Sequence, residues 1–122
     1  MRDYKNIKAF GLADSLVLEG YKISKKFPKE EAYGLTSQLR RALISVPTNI
    51  VEGASRQHKK DYLNFLYISR GSLAETEYLL HLASRLNYLN EPDFKNIDRL
   101  RQETARTLFG LIEAVRDETN KG

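Results

Sequence analysis

The stretch from Lys59 to Asn87 carries two interleaved apolar rows, and no other feature of the chain restricts its fold so strongly. One row is Tyr62, Leu66, Ser69, Leu73, Thr76, Leu80 and Ala83. The other is Phe65, Ile68, Ser72, Glu75, Leu79, Leu82 and Leu86. Both advance by alternating steps of three and four, the spacing that forms the seam of left-handed helix packing. A strand would need a period of two, which persists nowhere in the chain. At ~1.5 Å per residue such a helix spans on the order of 40 Å. A chain of 122 residues cannot bury both rows in one thin bundle, so part of this wide face is expected to meet another subunit.

Three further helices follow from the same periodicity. The first is predicted over about 8–26, with Phe10, Ala13, Val17, Tyr21 and Ser24 as its stripe and Leu12, Leu16 and Ile23 widening it. Pro28 ends it by disfavouring helical geometry at Phe27. Gly11 and Gly20 each weaken a helix interior by about 1 kcal/mol relative to Ala, which points to close packing against a neighbour. The second helix is predicted over about 35–55 on Leu35, Leu39, Leu43, Val46 and Ile50. Pro47 lies inside it and predicts a kink, because the apolar stripe keeps its phase across the ring. The alternative is a break, with Ser45 capping a new helix and Pro47 in its first turn.

The fourth helix is predicted over about 91–117, with Asn90 as N-cap and Pro92 and Asp93 in the first turn. Its stripe is Ile97, Leu100, Thr104, Leu108, Leu111 and Val115, flanked by Ala105, Phe109 and Ile112. Short joints between successive helices imply antiparallel neighbours. The expected fold is therefore all-α: one domain over 1–122, an up-down-up-down four-helix bundle with a long third helix and the second kinked at Pro47.

Composition narrows the function. There is no cysteine, hence no disulfide framework, thiol nucleophile or thiolate metal site. His58 and His81 are the only histidines, and neither belongs to a His-x-x-x-His pair or a Glu-x-x-His repeat. Glu75 and Glu77, two apart on a helix, cannot face one another. No glycine-rich phosphate loop follows a strand. No enzyme activity, metal or cofactor is expected. The polar start of the chain and the lack of a long uncharged apolar run lead us to expect a cytoplasmic protein with no membrane partner.

The net charge is +4, with a pI of about 9.3 and a mean hydropathy of −0.52. Its distribution is uneven. Residues 1–29 hold seven basic and three acidic side chains, and residues 40–60 hold Arg40, Arg41, Arg56, Lys59 and Lys60 against Glu52 alone. Lys22, Lys25, Lys26, Arg40, Arg56, Lys59 and Lys60 are accordingly the candidate contacts to RNA or DNA. A second constellation lies beside the apolar stripe of the second helix. Gln38, Arg41, Ser45, Asn49 and Glu52 follow one another at helical spacing, and a hairpin turning near Gln57 brings Arg41 opposite Glu75. A partly buried Arg41–Glu75 ion pair, setting registry, is expected there.

The run Phe27-Pro28-Lys29-Glu30-Glu31-Ala32-Tyr33-Gly34-Leu35-Thr36-Ser37-Gln38-Leu39-Arg40-Arg41-Ala42 is followed by Ser45-Val46-Pro47-Thr48-Asn49-Ile50-Val51-Glu52-Gly53. Together they closely resemble the four-helix-bundle family also called the 23S rRNA intervening-sequence protein family. Phe65 to Glu77 and Leu86-Asn87-Tyr88-Leu89 continue the likeness in order. Small departures stand at Val51 and Ser69, where Ala is common, and at Ala32, where a basic residue is common. The resemblance implies an antiparallel bundle that assembles as a homopentamer, with no agreed catalytic residues. Some members are encoded inside intervening sequences of large-subunit rRNA genes. A similar protein, the accessory variability determinant of diversity-generating retroelements, is a basic pentamer that associates with a reverse transcriptase and with nucleic acid. The matched Gln38, Arg41, Asn49, Glu52, Gly53, Ser72 and Glu75 are expected to hold the bundle or its interface. Self, RNA or DNA, and a reverse transcriptase or other protein are the partners this implies.

Overall fold

A computed structural model describes residues 2–121. Four α-helices follow in order: α1 (Lys8–Ser24), α2 (Leu35–Ala54), α3 (Lys59–Arg85) and α4 (Glu91–Lys121). Short 3-10 turns at Tyr4–Asn6 and Lys29–Glu31 precede α1 and α2. The helices pack around one core in the cyclic order α1, α2, α3, α4, an antiparallel up-down-up-down bundle. The fourth helix runs about one turn past the expected Asp117, and α1 and α3 each stop two residues early.

The helix ends have specific chemical causes. Asn87 takes φ 63°, the left-handed geometry that asparagine tolerates well. The Tyr88 amide then reaches the Ala83 carbonyl and the Asn87 amide that of Ser84, satisfying two of the last free carbonyls of α3. Asn90 caps α4 as expected, its Oδ1 accepting from the Asp93 amide at 2.8 Å. At the start of α2 the cap comes from outside the helix. Glu31 Oε1 accepts from the Leu35 amide at 3.1 Å while Oε2 accepts from the Tyr88 hydroxyl at 2.9 Å. The carboxylate thus sits at the positive end of the α2 dipole. Its hydrogen bond raises the Tyr88 pKa above the ordinary tyrosine value.

The core follows the predicted stripe of α2 and the first predicted row of α3 closely, while of the second row of α3 only Leu79 is buried. Leu39, Leu43, Val46 and Ile50 are fully buried, as are Leu66, Ser69, Thr76, Leu80 and Ala83. Helix α2 continues through Pro47 without interruption, so the chain does not break and restart at Ser45. On α1 the buried line is rotated by about one residue. Ala9, Ala13, Leu16, Gly20 and Ile23 face inward, while Phe10, Val17 and Tyr21 lie on the flank, half-buried. Small residues on the inner line let α1 approach α2 closely, and Gly20 packs directly on the Leu43 side chain. Gly11, by contrast, is exposed with open space about it, so the close packing expected there is absent within the chain.

Candidate nucleic-acid interface

Antiparallel packing decides where the seven candidate cations lie. The last turn of α1 and the first half of α2 share one end of the bundle, and the α2–α3 turn occupies the other. Lys22, Lys25, Lys26 and Arg40 therefore gather at the first end, and Arg56, Lys59 and Lys60 at the second. A 20-residue α2 separates the ends by roughly 30 Å. The candidates form two groups rather than one basic face.

At the α1–α2 end, Lys22 and Lys25 are exposed and make no ion pair among the described residues. Lys26 Nζ lies 3.1 Å from Asp93 Oδ2 on α4. Arg40 is engaged internally: its guanidinium lies 4.4 Å from the Tyr21 ring centroid, and its Nε donates to Ser24 Oγ at 3.0 Å. That arrangement holds α1 to α2 and removes Arg40 from the free surface.

The α2–α3 end is built differently. Arg56 pairs with Glu52 one turn earlier, Nη2 to Oε1 at 2.9 Å, and lies over the Phe65 ring at 4.7 Å. Its carbonyl accepts from Arg2 Nη1 at 2.8 Å. The Arg2 guanidinium in turn lies 4.3 Å above Tyr62. Burial raises the Tyr62 pKa above the ordinary value against the opposing influence of Arg2. Arg2, Ser55, Arg56 and Gln57 line an open concavity of about 500 Å³. A neighbouring one of about 530 Å³ is bordered by Gln57, His58, Lys59, Lys60, Glu118 and Thr119. Lys59 Nζ reaches Glu118 Oε2 at 3.3 Å, and Lys60 makes no ion pair among the described residues. Arg2 was missed as a candidate, because only the tertiary fold returns the N-terminus to this turn.

The interface candidates divide as well. Asn49 Nδ2 donates to the Ser45 carbonyl at 2.8 Å and to Ser45 Oγ at 2.9 Å. The Ser45 and Ser72 hydroxyls share a hydrogen bond of 2.7 Å across the α2–α3 contact. A Cβ on Gly53 would lie 2.9 Å from both Phe65 Cβ and Tyr62 Cδ1, so α2 can approach α3 only with glycine there. Of the interface candidates, Asn49, Gly53 and Ser72 thus serve the hairpin itself. Gln38, Arg41, Glu52 and Glu75 are exposed. The expected Arg41–Glu75 ion pair does not form within the chain, because both side chains point outward from the groove that Ser45 and Ser72 close.

The α3–α4 side carries charge that sequence reasoning did not single out. Arg101 donates to Asp98 at 2.7 Å and also reaches Glu77 at 3.6 Å. Burial raises the Asp98 pKa, but hydrogen bonds from Arg101 and Gln102 outweigh it and leave the carboxyl below its ordinary value. Tyr67 accepts from Arg116 Nη2 at 3.1 Å, and Arg70 lies over its ring at 4.8 Å. Among the described residues no group of three or more His, Asp or Glu side chains could hold a metal ion. No described helix is long and apolar enough to cross a membrane.

Residues 5–110 match the model of the 23S rRNA-intervening sequence protein family. The chain belongs to that family. A solved structure with the same fold is a protein of unknown function from the S23 ribosomal protein family of Bacteroides thetaiotaomicron. It superimposes with a TM-score of 0.79 at 23% identity, covering 85% of this chain and 97% of that one. No curated protein matches the chain.

Proposed function

We propose that this 23S rRNA-intervening sequence protein is a non-catalytic, self-assembling module that binds RNA or DNA through phosphate contacts, with little dependence on sequence. The observation that supports it is the convergence of Arg2, Arg56, Lys59 and Lys60 on two adjoining open concavities at the α2–α3 end. Arg2 and Arg56 are held in place by aromatic rings, so less side-chain freedom is lost when a phosphate is bound. One copy offers too few free cations for firm binding. A homopentamer would carry a net charge of about +20 and set five such ends on one rim, where weak contacts add.

The test is fluorescence anisotropy with a labelled structured RNA and a labelled DNA of equal length, at about 50 and 200 mM salt. Binding at the lower salt, a steep loss at the higher, and weakening by Lys59→Gln with Lys60→Gln support the reading. No binding at about 50 mM salt overturns it.

A second reading is a scaffold whose partner is another protein, such as a reverse transcriptase. Tyr78 and Phe109 favour it: both are more than half exposed and border the grooves between α3 and α4. Co-purification of such a partner with a chain that fails the anisotropy test would favour this reading.

A further inference from the structure

The outward faces of α2 and α3 carry three features that the folded chain leaves unused. The first is apolar. Ile44, Ile68 and Leu86 are three of the seven large hydrophobic residues left exposed among the described residues, and Ile68 keeps 51% of its surface open. Ile68 and Leu86 belong to the second row of α3, which has the spacing of a packing seam; Phe65, Ser72 and Leu79 of that row are partly or fully covered within the chain, and these two are left open. The second is Gly71. It sits in the middle of α3, exposed, with no atom within 4 Å of where a Cβ would lie. Glycine weakens a helix interior by about 1 kcal/mol relative to Ala, and nothing within the chain requires it.

The third feature is charge. Arg41 and Glu75 are both exposed, and neither makes a salt bridge or side-chain hydrogen bond among the described residues. The Ser45–Ser72 hydrogen bond fixes their level. Arg41 lies one turn from Ser45, Glu75 lies three residues from Ser72, and in antiparallel helices both steps run in the same direction. The two charges therefore stand at one height on one face.

We infer that this α2–α3 face is where a second copy of the chain docks, α2 of one copy against α3 of the next, with Arg41 pairing with Glu75 of the neighbour. This inference rests on the self-assembly proposed above and names the surface that carries it. Equal height is the reason for choosing a second copy. A cyclic assembly with its axis along the bundle preserves the level of every residue, so Arg41 and Glu75 of adjacent copies meet without a shift. Gly71 then lies where the neighbouring helix approaches, and Ile44 and Ile68 supply the apolar contact around the ion pair.

The experiment is mass in solution by light scattering at micromolar concentration, on wild type, R41E, E75R, the R41E/E75R double variant and I68D. Wild type is expected to assemble. Each single variant is expected to fall toward the 14.1 kDa of one chain. The double variant, with the charges exchanged, is expected to recover the wild-type mass. An assembled wild type whose mass none of the variants changes overturns this face and leaves self-assembly standing. A double variant that stays dissociated overturns the Arg41–Glu75 contact. A monomeric wild type overturns this inference and the proposed assembly together. Since the chain has no cysteine, a second measurement is independent of these variants' stability. Chains carrying Ile44→Cys are mixed with chains carrying Gly71→Cys and oxidised. A mixed disulfide between the two is expected, and its absence in an assembled sample overturns the contact.

Discussion

Ser69 on α3 donates its hydroxyl to the backbone carbonyl of Val46 on α2, 2.8 Å away and fully buried. One turn further along α3, the Ser72 hydroxyl bonds Ser45. The most extensively packed helix pair of the bundle is thus joined by small polar side chains in the midst of an apolar seam. Small side chains let the helices approach, and the Ser69 and Ser72 hydroxyls each find a partner on α2.

Ser69→Ala removes one of these links while leaving the carbonyl of Val46 within its helix. We expect a loss of about 0.5–1.5 kcal/mol in urea unfolding, with the fold retained. Ser69→Leu is expected to be worse than Ala, because the site is filled and the added volume must displace α2.

Gly53→Ala and Gly11→Ala should move stability in opposite directions. A methyl at residue 53 meets Phe65 Cβ and Tyr62 Cδ1 at 2.9 Å, so a loss of about 1–3 kcal/mol is expected. A methyl at residue 11 meets nothing within 4 Å, so a gain of up to about 1 kcal/mol is expected. Thermal melts of the two variants check both signs at once.

Acid should weaken the α3–α4 contact through Asp98. Its folded pKa lies below the ordinary 3.8, the net result of burial opposed by hydrogen bonds from Arg101 and Gln102. A depressed carboxyl contributes stability that is present above its unfolded pKa and lost as pH falls through the folded value. Asp98→Asn is therefore expected to lower the urea midpoint at neutral pH and to flatten its fall below about pH 4. Equal acid sensitivity in variant and wild type would show that this carboxyl is not the one responsible.

Lys59 is held by Glu118 at 3.3 Å, an exposed pair of small intrinsic value. Glu118→Gln frees the ammonium and removes a negative charge beside the proposed phosphate contacts. Nucleic-acid affinity is expected to rise about two- to fivefold at low salt. Lys25→Gln, at the far end of the bundle, is expected to change it less than Lys60→Gln. The same anisotropy titration reads all three.

Most of the architecture could be read from residue spacing, because each helix repeats its apolar positions over many turns and an error at one position is outvoted by the rest. That is why the stripe of α2 and the first row of α3 matched the core almost residue for residue. On α1 the largest side chains misled the reading. Phe10, Val17 and Tyr21 are strong hydrophobic signals, yet they lie half-buried, while Ala9 and Gly20, outside the expected stripe, join the expected Ala13, Leu16 and Ile23 on the line nearest the core. Close helix approach selects small residues, and hydrophobicity alone does not register them.

The candidate site was less legible. Charge along the chain marked the basic segments correctly, and antiparallel packing then sent them to opposite ends of the bundle. Arg2 became part of a site only because its guanidinium reaches Tyr62 and the Arg56 carbonyl, residues some fifty to sixty positions away. Opposition in sequence brought Arg41 and Glu75 to one level, as hairpin register requires, but rotation about each helix axis left both facing outward. The sequence by itself determined four helices, their order and the apolar faces, because these are periodic and local. The tertiary structure alone decided which charges are free, which are paired, and which apolar residues remain uncovered, because those depend on how the helices are turned against one another.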